Sequence, residues 1–142
     1  MSPRDRVRAW VEAFNNADVE GLAAMYSEDA INHQVANEPV VGREAIRTFM
    51  HDCMVGFDDW RFPHLWTVVK DNLIICAFWS RVPGKLPDGS DPDCFSMSLA
   101  IYAGNGQFCY ENDVFNMVEL AQLIGDSGWA PPPVSHTPPA RP

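Results

Sequence analysis

The strongest constraint on the fold is a change of hydrophobic period near the middle of this chain of 142 residues. Before Gly56, apolar side chains recur at helical spacing, as in Val7, Trp10, Val11 and Phe14. After Gly56, four segments are rich in β-branched and aromatic residues, which is typical of strands. Helices that precede a run of strands predict an α+β domain, with the helices packed against a mostly antiparallel sheet.

Local signals predict where four helices begin or end. Ser2 is a suitable N-cap for the first helix, and Asp18 can cap a short second helix that runs through Tyr26. The segment "VGREAIRTFMHDCM" returns to helical spacing and predicts a third helix. Asn116 is better interpreted as the N-cap of a last helix, at about residues 117–124, than as a ligand-binding residue.

The predicted sheet also has a recognisable turn. Gly and Asn tolerate positive φ, so "GNG" at 104–106 predicts a tight hairpin between the last two strands. A short extended run, "DAINHQVA", precedes the third helix. The four main strands are predicted within "WRFPHLWTVV", "NLIICAFWSRV", "CFSMSLAIYA" and "QFCYENDVF".

The chain is long enough for one domain with a substantial core, which we place at residues 1–129. Residues 130–142 contain six prolines and predict an extended tail rather than a second domain. The net charge of −9 gives no basic surface for nucleic acid, and no apolar run is long enough to span a membrane. The four cysteines are widely spaced, which predicts reduced thiols, no metal site and a cytoplasmic location.

Several phrases of the sequence resemble the SnoaL-like branch of the nuclear transport factor 2-like superfamily. They are "NNAD" at the end of the first helix, "YSEDA" before a short strand, "VGREAI" at the third helix and "YENDVFNMVEL" near the end. The resemblance covers about residues 3–129 and implies three helices over a strongly curved sheet, which together form a cone with a mainly apolar cavity. It also implies that a homodimer formed through the sheets is a frequent assembly.

Alternation along the strands selects candidate site residues. Glu111 and Asp113 share one face of the last strand, and Trp79 and Arg81 share a face of an earlier one. If Arg81 faces the same cavity as Asp113, its guanidinium holds this carboxylate ionised or binds a developing oxyanion. The protonation state of Asp113 stays open, because burial raises the pKa of a carboxyl and a neighbouring arginine lowers it.

The resemblance implies a catalytic role for Asp113 more directly. Limonene-type epoxide hydrolases are similar in having an aspartate before "YFD" on the last strand, and "DVFN" puts Asp113 in that place. SnoaL-like cyclases also use a cavity aspartate as acid or base. The hydrolases carry Arg-x-Asp on an earlier strand, where this chain has Trp79 and Arg81, so the second carboxylate of their site is lost.

The other candidates have competing structural interpretations. His33 lies near the expected cavity mouth and is a candidate catalytic residue, although a lone histidine is more often a packing residue. Tyr26 can donate a hydrogen bond into the cavity or pack in the core, and Glu111 is predicted to be a charge at the rim. Asp113 itself can be a structural ion-pair partner. The aromatic residues predicted to line the core or a substrate cavity are Trp10, Phe14, Trp60, Trp66 and Trp79.

Three functional hypotheses follow. The preferred one is a cofactor-independent enzyme of the SnoaL-like or ketosteroid-isomerase-like type, which moves a proton with Asp113 during isomerisation, cyclisation or loss of water. Its substrate is expected to be small and lipophilic, such as a polyketide, a terpenoid or a steroid-like ring. The alternatives are a non-catalytic ligand-binding or dimerisation module of the same fold, and an epoxide hydrolase with an altered water-activating site.

Overall fold

The computed structural model describes residues 1–34, 38–56 and 59–130, with only the backbone of residues 55 and 56. The predicted proline-rich tail lies outside the described residues from residue 131 onward. Four helices and six strands are present in this part of the chain. In chain order they are α1 (Pro3–Asn15), α2 (Val19–Ala24), β1 (Tyr26–Gln34), β2 (Val40–Val41), α3 (Arg43–Gly56), β3 (His64–Lys70), β4 (Leu73–Arg81), β5 (Asp93–Gly104), β6 (Gln107–Phe115) and α4 (Met117–Ser127).

The helix caps follow the sequence signals. The side chain of Ser2 accepts a hydrogen bond from the backbone N–H of Asp5 at the start of α1, and Asp18 accepts one from Gly21 at the start of α2. Asn116 caps α4 by accepting from the backbone N–H groups of Val118 and Glu119. Each cap satisfies donors that have no partner within the first turn of a helix.

The six strands form one curved, unclosed sheet in the order β2-β1-β6-β5-β4-β3. All neighbouring strands are antiparallel except β1 and β6, which run parallel. The predicted hairpin joins β5 to β6, with Asn105 at φ 54° and Gly106 at φ 78°. The predicted α+β architecture is therefore confirmed, although β1 already begins at Tyr26, which the helical spacing had placed in α2.

The two faces of the sheet have different surroundings. The inner face, as we call the face that packs against the helices, meets the buried α1 residues Val7, Trp10 and Ala13. The opposite, outer face carries partly exposed apolar side chains, including Trp66 and Phe95. Among the inner-face residues are Ala30 and Asn32 on β1, Ile74, Cys76, Phe78 and Ser80 on β4, Cys94, Ser96, Ser98 and Ala100 on β5, and Phe108, Glu111 and Asp113 on β6.

A register shift in β6 changes the alternation expected from the sequence. Tyr102 of β5 pairs with Phe108, but the preceding Ile101 pairs with Tyr110, so an extra residue is accommodated near Cys109. Such a bulge places residues on both sides of it on the same face. Phe108 is consequently buried, at 3% exposure, and not on the face opposite Glu111 and Asp113 as strict alternation predicts.

A second, smaller core holds α4 against one end of the sheet. It consists of the buried side chains of Val82, Cys94 and Leu120, with Trp60 and Trp129 among the partly buried residues around them. Gly84, in the loop between β4 and β5, approaches the end of α4 so closely that an added Cβ would lie 2.7 Å from the carbonyl oxygen of Ser127. The loop and the helix are thus packed together without space for a side chain.

The two edge strands of the sheet are β2 and β3. β2 has two residues, and β3 at the other edge receives a hydrogen bond of 2.9 Å from Arg4 Nη1 to the carbonyl oxygen of Thr67. Across the described ranges, no helix has the length and apolar character needed to cross a bilayer.

Candidate functional site

Buried polar side chains gather on the inner face where β1, β5 and β6 are neighbours. Asn32, Ser98, Glu111 and Asp113 are between 1% and 6% exposed, and Tyr26 has no exposed surface. The strand register explains the grouping, since Asn32 pairs with Glu111 across the parallel β1–β6 ladder and Ser98 pairs with Asp113 across β5–β6. These five residues are the candidate functional site.

Glu111 is the most extensively hydrogen-bonded member. One carboxylate oxygen, Oε2, accepts hydrogen bonds from the hydroxyl of Tyr26 and from Asn32 Nδ2, the latter at 2.8 Å. The other oxygen, Oε1, accepts a longer bond of 3.3 Å from the hydroxyl of Ser98. Three donors that converge on one buried carboxyl favour its ionised form.

Tyr26 links this carboxylate to the first helix. Its hydroxyl accepts a hydrogen bond of 2.8 Å from Trp10 Nε1 and donates its own proton to Glu111. The indole of Trp10 stacks on Phe14 with 5.4 Å between ring centroids, and Phe62 packs against both rings. An aromatic wall therefore lies beside the polar site, and the hydrogen bonds fix its orientation relative to β6.

The pKa directions separate the two carboxyls. Burial, together with the negative charge of Glu111, raises the pKa of Asp113 well above its ordinary value, against an opposing hydrogen bond with Ser98. Burial also raises the pKa of Glu111, but the hydrogen bonds from Tyr26, Asn32 and Ser98 oppose that shift. Two neighbouring buried carboxyls avoid carrying two negative charges. The pKa of Asp113 is therefore the more strongly raised of the two, and the hydrogen bonds that Glu111 receives favour its ionised form.

The phenol keeps its proton in this arrangement. Burial and the neighbouring charge of Glu111 raise the pKa of Tyr26 well above that of an ordinary tyrosine. Tyr26 is thus a hydrogen-bond donor at neutral pH, as the bond to Glu111 requires.

Two buried acceptor atoms of the site have no hydrogen-bond partner within the described part of the chain. They are Asp113 Oδ1 and Asn32 Oδ1. The Asn32 amide is held in one of its two flip orientations, because its NH₂ group donates to the carboxyl of Glu111 and its oxygen must then point elsewhere. Buried polar atoms are nearly always paired in proteins, so these two are candidates for contact with a bound molecule.

Several predicted site residues meet at this place. Asp113 lies beside Glu111, and Tyr26 and Trp10 are joined to Glu111 through hydrogen bonds. Phe14 contributes to the adjoining aromatic wall. The prediction that Glu111 is a rim charge is wrong, because this residue is only 4% exposed and lies at the centre of the network.

The expected pair of Asp113 and Arg81 is not formed. The guanidinium of Arg81 makes two hydrogen bonds of 2.8 Å to Asp93 and a salt bridge of 3.2 Å to Asp91. Arg81 and Trp79 do share one face of β4, as alternation predicts. That face is the outer one, because the inner face of β4 carries Phe78 and Ser80. Arg81 therefore offers no positive charge to the buried carboxyls.

Three further candidates also lie away from the buried site. Trp79 packs edge-on against Phe95, a partly exposed residue of the outer face. Trp60 belongs to the second core near α4. His33 follows the inward-facing Asn32 on β1 and pairs with Asn112, so it lies on the opposite side of the strand from the carboxyl pair.

Sequence reasoning missed Asn32 and Ser98. A signal for Ser98 was present in "CFSMSLA", where serines alternate with larger apolar residues, but small polar residues at such positions usually indicate an exposed face. Asn32 lies between Ile31 and His33, and nothing local distinguishes it from a solvent-facing residue. Its importance comes from a contact with Glu111, which is 79 residues away along the chain.

Two cavities adjoin these elements. A small cavity lies beside Glu111 and Ser98 and is otherwise lined mainly by apolar residues. Its volume of about 20 Å³ is close to the space that one water molecule needs. A larger cleft of about 350 Å³ lies between α1 and β3, lined by Arg4, Arg8, Val11, Glu12, His64 and Thr67. None of the five buried polar residues lines that cleft. Among residues 1–34, 38–56 and 59–130, no group of His, Cys, Asp and Glu side chains is arranged to hold a metal ion.

Solved structures place this fold in the nuclear transport factor 2-like class. A nuclear transport factor 2-like protein of unknown function from Burkholderia pseudomallei is 18% identical, with 89% of this chain and 98% of that chain covered and a TM-score of 0.71. A candidate SnoaL-like polyketide cyclase from Shewanella putrefaciens is 14% identical, with 86% and 84% covered and a TM-score of 0.74. A protein with a ketosteroid isomerase-like fold from Catenulispora acidiphila, solved with trimethylamine, is 13% identical, with 92% and 96% covered and a TM-score of 0.72.

The family follows from the sequence itself. A family model described as the SnoaL-like domain matches residues 7–98. The chain belongs to the SnoaL-like domain family, and the resemblance noted in its sequence is confirmed. Comparison with curated protein sequences gives no match.

Proposed function

We propose that this protein is a small-molecule enzyme in which the neutral carboxyl of Asp113 supplies a proton to an oxygen atom of the substrate. The single observation that carries the proposal is the surroundings of this side chain, which is 4% exposed, lies beside Glu111, has a raised pKa and has an Oδ1 atom without a hydrogen-bond partner among the described residues. A buried acid that keeps its proton near neutral pH is suited to general acid catalysis.

The surroundings support a lipophilic substrate. Trp10, Phe14 and Phe62 form the aromatic wall next to the polar site, and Phe108 lies on the same face as the carboxyls. The name of the Shewanella protein associates a similar fold with polyketide cyclisation. Isomerisation, cyclisation and loss of water all use a positioned proton donor and need no cofactor for proton transfer.

The proposal can be tested without knowledge of the natural substrate. A panel of cyclic ketones and hydroxyketones is incubated with the protein in heavy water, and NMR follows the replacement of hydrogen by deuterium at carbons next to the carbonyl group. Donation to the carbonyl oxygen acidifies the adjacent C–H bond, so that the carbon loses its proton to the solvent and an enol forms. The enol then takes a deuteron from the heavy water at carbon while its oxygen returns the donated proton to Asp113, so an acid in this position accelerates the exchange. The Asp113→Asn variant should lose about 100-fold or more of the acceleration, which is the usual contribution of a general acid.

The matched control is Asp29→Asn, the same substitution at an exposed position of β1. It should exchange at the wild-type rate. Equal rates for the wild type and a folded Asp113→Asn variant on every accelerated substrate would remove Asp113 from the mechanism.

A second candidate function is a ligand-binding or structural module without catalysis. It is favoured by the packing beside Glu111, where the adjoining cavity has a volume of only about 20 Å³. In this case, the exchange experiment would give no acceleration for any panel member, even though the protein is folded. The epoxide hydrolase hypothesis gains no support from the position of Arg81, which is paired with Asp93.

We also propose that two copies of the chain associate through the outer face of the sheet. Five large apolar side chains on this face are each 38–55% exposed, namely Trp66, Val68, Phe95, Leu99 and Val114. Three of the strand pairings form one row across the sheet. Trp66 pairs with Ala77, Ala77 pairs with Met97, and Met97 pairs with Val114. A continuous apolar surface of this kind marks an interaction site, and a second copy of the same sheet presents a matching surface.

A further inference from the structure

We infer that the cleft between α1 and β3 binds a small organic carboxylate through the guanidinium groups of Arg4 and Arg8. This cleft is separate from the buried carboxyls, neither of which lines it. Its volume of about 350 Å³ lies within the usual range for small-molecule sites. The ligand bound here is distinct from the substrate proposed for Asp113, and its binding does not depend on that acid.

The side chains that α1 presents to the cleft carry charges in a definite order. Arg4, Arg8 and Glu12 are four residues apart, so they lie in one row along the helix, with the two cations nearer its N-terminus. In the described part of the chain, Arg4 has no carboxylate within salt-bridge distance. Arg8 has a contact of 3.6 Å with Asp5, between two exposed side chains. Both guanidinium groups are therefore available to an anion.

The helix itself gains little from this pair of arginines. Like charges four residues apart repel each other, and a cation such as Arg4 in the first turn opposes the helix dipole. The net charge of the chain is −9, so the pair also stands out from an acidic protein. A bound anion offsets both costs, because it neutralises the two cations and lies near the positive end of the helix.

Thr67 holds two of the cleft side chains in place before a ligand binds. Its backbone carbonyl oxygen accepts a hydrogen bond of 2.9 Å from Arg4 Nη1, and its hydroxyl oxygen lies 2.7 Å from His64 Nε2. The bond to Arg4 leaves the other N–H groups of this guanidinium for a ligand. A side chain that is already ordered loses less conformational entropy on binding. The β3 side of the cleft is thus prepared for a small polar group.

The charges of the cleft favour a carboxylate over a phosphate. Either group can accept two parallel hydrogen bonds from a guanidinium. A phosphate monoester carries nearly two negative charges at neutral pH, so the carboxylate of Glu12 repels it more strongly. Val11 adds apolar surface to the same cleft. The ligand class that fits is a monocarboxylate on a small apolar framework.

The test compares three probes that share an aromatic ring, namely benzoate, phenyl phosphate and the neutral benzamide. Binding is followed at constant ionic strength through the backbone amide signals of Arg8 and Thr67 in ¹H–¹⁵N NMR spectra. Benzoate should shift these signals saturably and bind about tenfold more tightly than benzamide, because charge-assisted hydrogen bonds are stronger than neutral ones. It should also bind more tightly than phenyl phosphate.

Three variants separate a specific site from a general effect of charge. Arg8→Gln removes one guanidinium and should weaken benzoate binding about tenfold. Glu12→Gln should strengthen the binding of phenyl phosphate more than that of benzoate, because a dianion gains more when a negative charge is removed. The matched control is Arg47→Gln on α3, outside the cleft. It changes the net charge as Arg8→Gln does and should leave the affinity for benzoate unchanged.

No saturable shift with benzoate, equal affinity for benzoate and benzamide, or tighter binding of phenyl phosphate than of benzoate would overturn the inference. Equal losses in Arg8→Gln and Arg47→Gln would also overturn it, because binding would then follow the overall charge. So would benzoate shifts at Asn112 and Asp113 without shifts at Arg8, which would move the anion to the buried carboxyls. The acid role of Asp113 is judged separately, by the exchange rates of the wild type and Asp113→Asn.

Discussion

Glu111 and Asp113 lie two residues apart on one strand, yet their surroundings raise the pKa of Asp113 more strongly than that of Glu111. Glu111 receives hydrogen bonds from Tyr26, Asn32 and Ser98, which compensate for much of the cost of a buried charge. Asp113 has no comparable set of donors and faces the charge of Glu111. Such a division of labour between two carboxyls of similar intrinsic acidity is a common way to build an acid that works near neutral pH.

The raised pKa of Asp113 predicts a dependence of stability on pH. A carboxyl whose pKa is higher in the folded than in the unfolded chain binds its proton more tightly when folded. Its contribution is therefore fully present below the unfolded value, for which 3.8 is the reference, and is lost as the pH rises through the folded pKa. Asp113→Asn lacks this proton equilibrium, so the difference in unfolding free energy between this variant and the wild type should shift in favour of the variant as pH rises.

Urea unfolding of the two proteins across a pH series measures this difference. The same measurement on Asp29→Asn, at an exposed position, is the control for the substitution itself. If the Asp113→Asn difference does not change with pH above about pH 4, where an ordinary aspartate is ionised, then Asp113 is ionised in the folded protein and the raised pKa is wrong.

At the scale of secondary-structure elements, α4 is attached to the sheet by both a small core and a tight loop. Leu120 packs with Val82 and Cys94, and Gly84 approaches the carbonyl oxygen of Ser127 at the end of the helix. Gly84 also has φ 95°, a backbone conformation that side chains disfavour. The packing of α4 thus depends on glycine at position 84 for two separable reasons. The backbone has a positive φ there, and the contact with Ser127 leaves no room for a Cβ atom.

A pair of substitutions in this loop separates these reasons. Gly84→Ala should lower the unfolding free energy by about 2–4 kcal/mol, since it combines backbone strain with a steric clash. Gly89→Ala, at φ 84° and with no atom within 4 Å of the added Cβ, should cost about 1–2 kcal/mol through strain alone. Urea or thermal unfolding gives both values, and equal losses would show that the contact with Ser127 relaxes without cost.

Much of the element structure could be predicted because its causes are local. Ser2, Asp18 and Asn116 cap helices through hydrogen bonds to residues two or three positions away, and the turn at Asn105 and Gly106 needs only residues that tolerate positive φ. The β6 bulge was not predicted. It depends on how β6 pairs with β5, and strict alternation contains no information about that register.

The site was predicted only in part because its interactions are distant in sequence. Alternation correctly put Glu111 and Asp113 on one face, but it could not reveal which face of β4 meets the helices. The choice of Trp79 and Arg81 over Phe78 and Ser80 followed from this gap. The burial of Glu111 depends on Tyr26, which lies 85 residues away and could be recognised as a partner only in the folded chain.

At the scale of the whole molecule, the outer face of the sheet predicts the oligomeric state. Leu99 pairs with Ile75 of β4 and Asn112 of β6, so it lies away from the edges of this face. A charge at this position would be desolvated without a partner if two sheets pack together. Leu99→Glu should therefore convert a dimer, with twice the mass of one chain, into a monomer.

Light scattering coupled to size-exclusion chromatography measures the mass of both proteins. Val118→Glu is a suitable control because Val118 is 79% exposed on α4, outside the sheet, and its substitution should leave the dimer intact. A monomeric wild type, or a Leu99→Glu variant that remains dimeric, would contradict the proposed association through the outer face.

The hydrogen bond from Arg4 to Thr67 has a consequence for the behaviour of the protein at high concentration. An open sheet presents unpaired backbone groups at its two margins, and these can recruit strands from other molecules into growing aggregates. Here one edge strand, β2, has only two residues. At the other edge, the guanidinium of Arg4 donates a hydrogen bond to one backbone carbonyl of β3. The first turn of α1 therefore helps to restrict polymerisation of an otherwise open sheet.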